Sequence, residues 1–121
     1  MDTDNETPMT NAEFKCLREK LGLTTNWLSK RWNVADNTVK RWERNREIPV
    51  LLADDLRDLL GEFDASVAEA CATCGPGVAM IVPRIDAETT DGRPATWHHA
   101  IAQAVSEETG CRILFLDDEQ L

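Results

Sequence analysis

The chain has 121 residues, 42% hydrophobic and 29% charged, with a formal net charge of −9. That length suffices for one domain with its own core, or for two very small units. No apolar run approaches the roughly 18 residues of a membrane span, and the acidic opening MDTDNETPMT lacks the basic-then-apolar order of a secretory signal.

Residues 1–8 are polar and acidic and are expected to be disordered. Thr10-Asn11-Ala12-Glu13 reads as a capping box, with Met9 and Phe14 at the staple positions flanking it. Cap and period predict a first helix over about 11–21, with Phe14, Leu17 and Leu21 inward and Gly22 as its stop. A second helix runs from Thr24 or Thr25 to Trp32, with Leu28 and Trp32 inward and Ser29 small enough for another helix to approach. Asn33 stands where the chain must turn sharply, and Asn is the side chain best suited to left-handed backbone after glycine. A third helix covers about 36–44, with Val39 and Trp42 inward and Asn37, Arg41 and Arg44 outward. Pro49 opens a fourth, in which Leu52, Leu56, Leu59, Leu60, Phe63 and Val67 keep a helical period to about residue 72. Gly61 interrupts that run and is a place for a kink or a split. Asp54, Asp55, Asp58, Glu62 and Asp64 read as its solvent-facing charge.

Beyond Cys74-Gly75-Pro76-Gly77 the pattern changes. Residues 78–82 are an apolar strand ended by Pro83, Asp91-Gly92-Arg93-Pro94 is a loop, and 95–109 is an amphipathic helix with Trp97, Ile101 and Val105 on one face. Gly110 ends that helix, and 111–116 form a second strand. The expected fold class is therefore α+β. A helix-turn-helix bundle of about four helices over 9–74 precedes a small β-α-β unit over 75–121. Two strands make a poor sheet alone, so this second unit is expected to pair in a homodimer.

The charge is unevenly spread. Residues 11–50 hold nine bases and five acids, a net +4, whereas residues 51–121 hold four bases and fourteen acids, a net −10. A charged partner responds to the field within about 8–10 Å, so a basic face can bind nucleic acid although the whole chain is acidic. The basic segment contains LTTNWLSKRWNVADNTVKRWERN, two short helices and a tight turn, the second helix carrying outward cations. A helix of that diameter fits the major groove of duplex DNA.

Residues 17–49 resemble the helix-turn-helix of the phage-repressor-like (XRE) transcriptional regulators. The resemblance is carried by Leu17, Arg18, Gly22, Leu23, Leu28, Val34, Thr38, Val39, Arg41, Trp42, Glu43 and Arg44. In overall plan, a helical reader with a small α/β tail, the chain also resembles more loosely the anti-CRISPR-associated autoregulators of phages. The first resemblance implies that Asp36, Asn37, Lys40 and Arg41 face the bases and that Thr25, Thr38, Arg44 and Arg46 hold phosphates. The chemistry agrees for most of them: Asn pairs bidentately with adenine and Arg with guanine, while phosphate contacts set register without reading sequence. Two positions depart from the pattern. Ala35 replaces the usual capping Ser or Thr, and Asp36 repels phosphate. Asp36 is then either the helix cap, the preferred reading, or an acceptor from cytosine N4.

Elsewhere Cys71 and Cys74 have zinc-knuckle spacing, with His98, His99 and Cys111 as further ligands to weigh. A single CxxC is a weak signal, and free thiols at a helix end are the simpler reading, so no metal or other cofactor is expected. Four cysteines at uneven spacing point to a reducing cytoplasm rather than a disulfide framework. Trp27, at a normally polar position, is expected to pack on the first helix or the tail, or else to touch DNA or a partner subunit. Trp32, Trp42 and Trp97 read as core. No paired carboxylates, Ser-His-Asp set or glycine-rich phosphate loop supports an enzyme.

The expected function is a sequence-specific, double-stranded-DNA-binding regulator, a dimeric repressor reading a pseudo-palindrome through the major groove. Its half-sites would lie about 34–36 Å apart. The alternatives are an antitoxin that binds DNA and neutralises a protein partner, and a protein-interaction adaptor that binds no DNA. RNA hairpins stay open as a further ligand, because a basic helix is not exclusive to duplex DNA.

Overall fold

A computed structural model describes residues 8–118, and over them the chain is α+β. In order come α1 (Asn11–Lys20), α2 (Thr25–Trp32), α3 (Asp36–Trp42), α4 (Val50–Cys71), β1 (Ala79–Val82), a 3-10 turn (Asp86–Glu88), α5 (Ala95–Thr109) and β2 (Arg112–Phe115). The expected disorder of residues 1–8 lies, Pro8 apart, outside the described residues. No described helix is long and apolar enough to cross a membrane. The chain divides into two compact units, Met1–Gly61 and Glu62–Leu121.

The first unit is built as its sequence signals dictate. Thr10 accepts from the Glu13 amide at 3.0 Å while Glu13 accepts from the Thr10 amide at 2.9 Å, closing the capping box of α1. Met9 and Phe14, at the staple positions, are both buried. Thr24 caps α2 by accepting from the Trp27 amide at 2.9 Å, and Asn33 ends it at φ 57°, ψ 48°. Phe14, Leu21, Leu23, Leu28, Val39, Leu56 and Leu59 are fully buried. Against them sits an aromatic triad of Phe14, Trp32 and Trp42, with ring centroids 6.0–6.2 Å apart. Each such apolar side chain contributes about 1.5–3 kcal/mol through burial, so this cluster and not helix propensity holds three short helices together.

The second unit begins inside α4, which runs through Gly61 without a break. Composition alone places the boundary after Cys74, but the last turns of α4 pack with the C-terminal segment. Phe63 meets Trp97 edge-to-face at 5.5 Å, and Arg93 bonds Glu62 while lying over the Trp97 ring. The cap position of α5 is Pro94, which has no capping side chain; the Asp86 carboxylate substitutes, accepting from the Ala95 amide at 2.7 Å. Trp97, Ile101, Ala102 and Val105 bury one face of α5, and Gly110 at φ 79° stops it. The strands are parallel, with Ala79 opposite Arg112, Met80 opposite Ile113, Ile81 opposite Leu114 and Val82 opposite Phe115. Among the described residues the sheet has these two strands alone.

Candidate nucleic-acid interface

Helix α3 has seven residues, and its inner side is fixed by Val39 and Trp42, both buried. Two side chains of α1 hold its end. The Asn11 amide nitrogen donates to the Trp42 carbonyl at 2.6 Å and to the Arg46 carbonyl at 2.8 Å. Arg18 bonds Glu43 through Nε and, at 3.2 Å, through a second nitrogen, and donates from its third to the Leu23 carbonyl at 2.9 Å. The matched pattern residues Arg18 and Glu43 thus have a scaffold role here: an ion pair 15% and 10% exposed, with every guanidinium nitrogen engaged.

The helix ends earlier than the sequence pattern predicts. Periodicity carries it to residue 44, but the Arg41 carbonyl accepts from the amides of Arg44, Asn45 and Arg46 at 3.0–3.1 Å, which tightens the chain into a turn after Trp42. Arg44 and Arg46 therefore lie in that turn, beyond the last helical residue. Asn37, Lys40, Arg41, Arg44 and Arg46 are all exposed. Among the described residues none hydrogen-bonds or ion-pairs with the side chains of Asn37, Arg41, Arg44 or Arg46.

Asp36 is not the cap that the missing Ser or Thr at position 35 suggested. Ala35 occupies the cap position without any side-chain bond, and its carbonyl already accepts from Thr38 at 3.0 Å and Val39 at 3.3 Å. Asp36 is the first helical residue and is half-buried. Its carboxylate takes a hydrogen bond from the Thr25 hydroxyl and pairs with Lys40 at 3.2 Å, one turn on. Oδ1 is buried and has no hydrogen-bond partner among the described residues. The Thr25 bond, then Lys40, holds the carboxyl below its ordinary value of 3.8 against the opposing effect of desolvation. Three expected contact residues, Thr25, Asp36 and Lys40, are thus linked to one another, and Thr38 is half-buried beside them.

One acidic side chain of this unit differs from expectation. Asp55 does not face solvent as a lone charge: it binds the Arg31 guanidinium at 2.7 and 3.1 Å and accepts from the Trp32 indole N–H at 2.7 Å. The signal was present, because 52, 55, 56 and 59 share one helical face, and a buried indole requires an acceptor. Trp27 is half-buried, with the Arg31 guanidinium 5.6 Å from its ring centre. Asn11 gives no signal in the sequence; its position in the first turn of α1 says nothing about a partner 31 residues away.

The metal-type residues are dispersed over other tasks. His99 Nε2 donates to the Pro83 carbonyl at 2.7 Å, His98 Nε2 lies 3.1 Å from Asp91, and Cys111 is buried. Among the described residues no group of three or more His, Cys, Asp or Glu is placed to hold a metal ion. Partial burial, then the charge of Glu108, pushes the Cys71 thiol up.

No protein-family model matches this chain, and no curated protein matches it in sequence.

Proposed function

We propose that the chain is a sequence-specific regulator that reads duplex DNA with α3 and acts in the cytoplasm as a dimer. The observation that carries this reading is the pairing of opposites on α3. Its inner side is buried by Val39 and Trp42, while Asn37 and Arg41, one turn apart, stand exposed with no described partner. Exposed polar tips on a clamped helix are the arrangement that base-edge recognition needs, since folding has already fixed the backbone that carries them. In this reading Asn37 meets adenine and Arg41 guanine, each pair contributing about 1–3 kcal/mol of discrimination. Arg44 and Arg46 supply sequence-independent phosphate contacts from the turn. Lys40 lies beside the base edges, neutralising Asp36, while Thr25 and Thr38 steady the start of the helix toward the backbone.

Selection of bound sequences from random duplex DNA, repeated at two salt concentrations, tests the reading. A pseudo-palindromic consensus with an affinity that falls steeply with salt is the expected result. Absence of any salt-dependent retention would transfer the chain to the class of protein-interaction adaptors.

A further inference from the structure

The two outer edges of the small sheet are finished differently. In the parallel ladder Arg112 donates to the Val78 carbonyl at 3.0 Å and Leu116 to the Val82 carbonyl at 2.9 Å. That alternation turns the amides and carbonyls of Ile113 and Phe115 to the outer edge of β2, and those of Ala79 and Ile81 to the outer edge of β1. At β2 the edge is closed at Phe115, one of its two outward residues. The Phe115 amide donates to the Asp118 carboxylate at 3.0 Å, and the Phe115 carbonyl accepts from the Asp118 amide at 3.0 Å. Arg84 lies 4.0 Å over the Phe115 ring and pairs with Asp117 and Asp118, closing the same end. At β1 the backbone groups of Ala79 and Ile81 have no hydrogen-bond partner among the described residues, and the Ile81 side chain is 51% exposed.

We propose that the β1 edge is the dimerisation seam: β1 pairs antiparallel with β1 of a second copy, making a four-stranded sheet in the order β2-β1-β1-β2. The proposal deepens the dimeric reading above and rests on it. Four points, observed features and what the pairing makes of them, select a second copy as the occupant. Residues 70–83 contain no charged residue, in a chain of net charge −9, so a twofold axis through β1 sets no like charges opposite one another. The edge offers two residues with outward backbone groups, Ala79 and Ile81, and the register that pairs each with the other of the partner satisfies both at once. Met80 then faces Met80 of the second copy across the axis as a non-hydrogen-bonded pair. Finally, after that pairing the remaining edges are the two β2 edges, where Phe115 is blocked and Ile113 alone is open among the described residues, one residue against the two that β1 offers, so growth stops at two copies instead of continuing as a filament.

The test uses the full chain without DNA, so that it stands or falls separately from the DNA reading. Light scattering on the wild-type protein should give twice the monomer mass. Ile81→Pro removes an edge amide that makes no bond to β2, so the mass should halve while the circular dichroism spectrum is retained. In a Cys16→Ser background, Met80→Cys should cross-link to a covalent dimer under mild oxidation, because the Cα atoms of such a pair lie about 4.5 Å apart. Ile113→Cys on β2 should stay uncross-linked. If Ile81→Pro unfolds, the cross-linking pair alone decides. A monomeric wild-type chain, a dimer that survives in folded Ile81→Pro, or cross-linking of Ile113→Cys in preference to Met80→Cys would each overturn the proposal. So would a monomer whose β1 edge captures an added extended apolar peptide, which would assign the edge to a foreign strand.

Discussion

The indole N–H of Trp32 and the guanidinium of Arg31 converge on the same oxygen of Asp55, each at 2.7 Å. A neutral donor from the aromatic core and a surface cation thus share one acceptor on α4, which links the helix-turn-helix to the helix behind it.

Asp55→Ala removes the acceptor of the Trp32 N–H and the Asp55–Arg31 ion pair. Bonds to a charged partner contribute about 1.5–3 kcal/mol, and the part-exposed ion pair adds less than a buried one. Urea denaturation should show a loss of about 2 kcal/mol for Asp55→Ala, and a smaller loss for Asp55→Asn, which keeps an oxygen for the indole. Equal loss in the two variants would mean that the Arg31 pair, and not the indole bond, provides the stability.

Arg18→Met removes the guanidinium from Glu43 and strands a carboxylate that is only 10% exposed. Breaking such a pair from one side costs about 3 kcal/mol or more. The double variant Arg18→Met/Glu43→Leu should recover much of that loss, because no charge is then left unpaired. A double variant no more stable than Arg18→Met would contradict this.

For Asp36 the direction of the pH effect is set by its lowered carboxyl. A folded-state value below the ordinary 3.8 means that the native chain favours the charged form. The contribution is complete above that ordinary value and is lost as the pH falls through the lowered one. Asp36→Asn should therefore be less stable than wild type at neutral pH, with the gap closing in strong acid. Thermal melts of the two proteins across that range measure it. In DNA titrations the same variant should bind nonspecific duplex more tightly, since one charge that repels phosphate is gone.

Arg41→Ala and Arg44→Ala separate reading from holding. Both side chains are exposed without described partners, so both variants should melt within about 0.5 kcal/mol of wild type. Arg41→Ala should lose preference for the selected sequence, by about 1–3 kcal/mol at one base pair. Arg44→Ala should weaken all duplexes alike and lower the salt slope by about one. Unaltered affinity for the selected sequence in Arg41→Ala would remove the central element of the functional proposal.

The helices were legible because their signals are local: a capping box at Thr10, an Asn at the left-handed turn, a glycine after α5. The strands were legible as apolar runs, each found shorter by one residue or two at its ends. Long-range polar partners were not. Asn11 with Trp42, and Asp86 with the start of α5, join groups whose spacing obeys no period, and only the folded chain brings them together. Asp36 misleads for the same reason. Its sequence neighbours suggest a cap, but Thr25 on the preceding helix claims the carboxylate. The outward set on α3 was half legible: periodicity located Asn37 and Arg41, but it carried the helix through Arg44, where a three-way bond to one carbonyl had already ended it.

Under the proposed function, ending at Trp42 limits how much α3 can read. Seven residues at 1.5 Å each make a rod about 10 Å long, and base pairs stack every 3.4 Å or so, which leaves room to inspect roughly three of them. Three letters recur by chance every few dozen positions in any genome. A reader with so short a vocabulary acquires an address only by requiring two words at a fixed spacing, so under the proposed function the selectivity resides as much in the ruler between two heads as in the heads themselves.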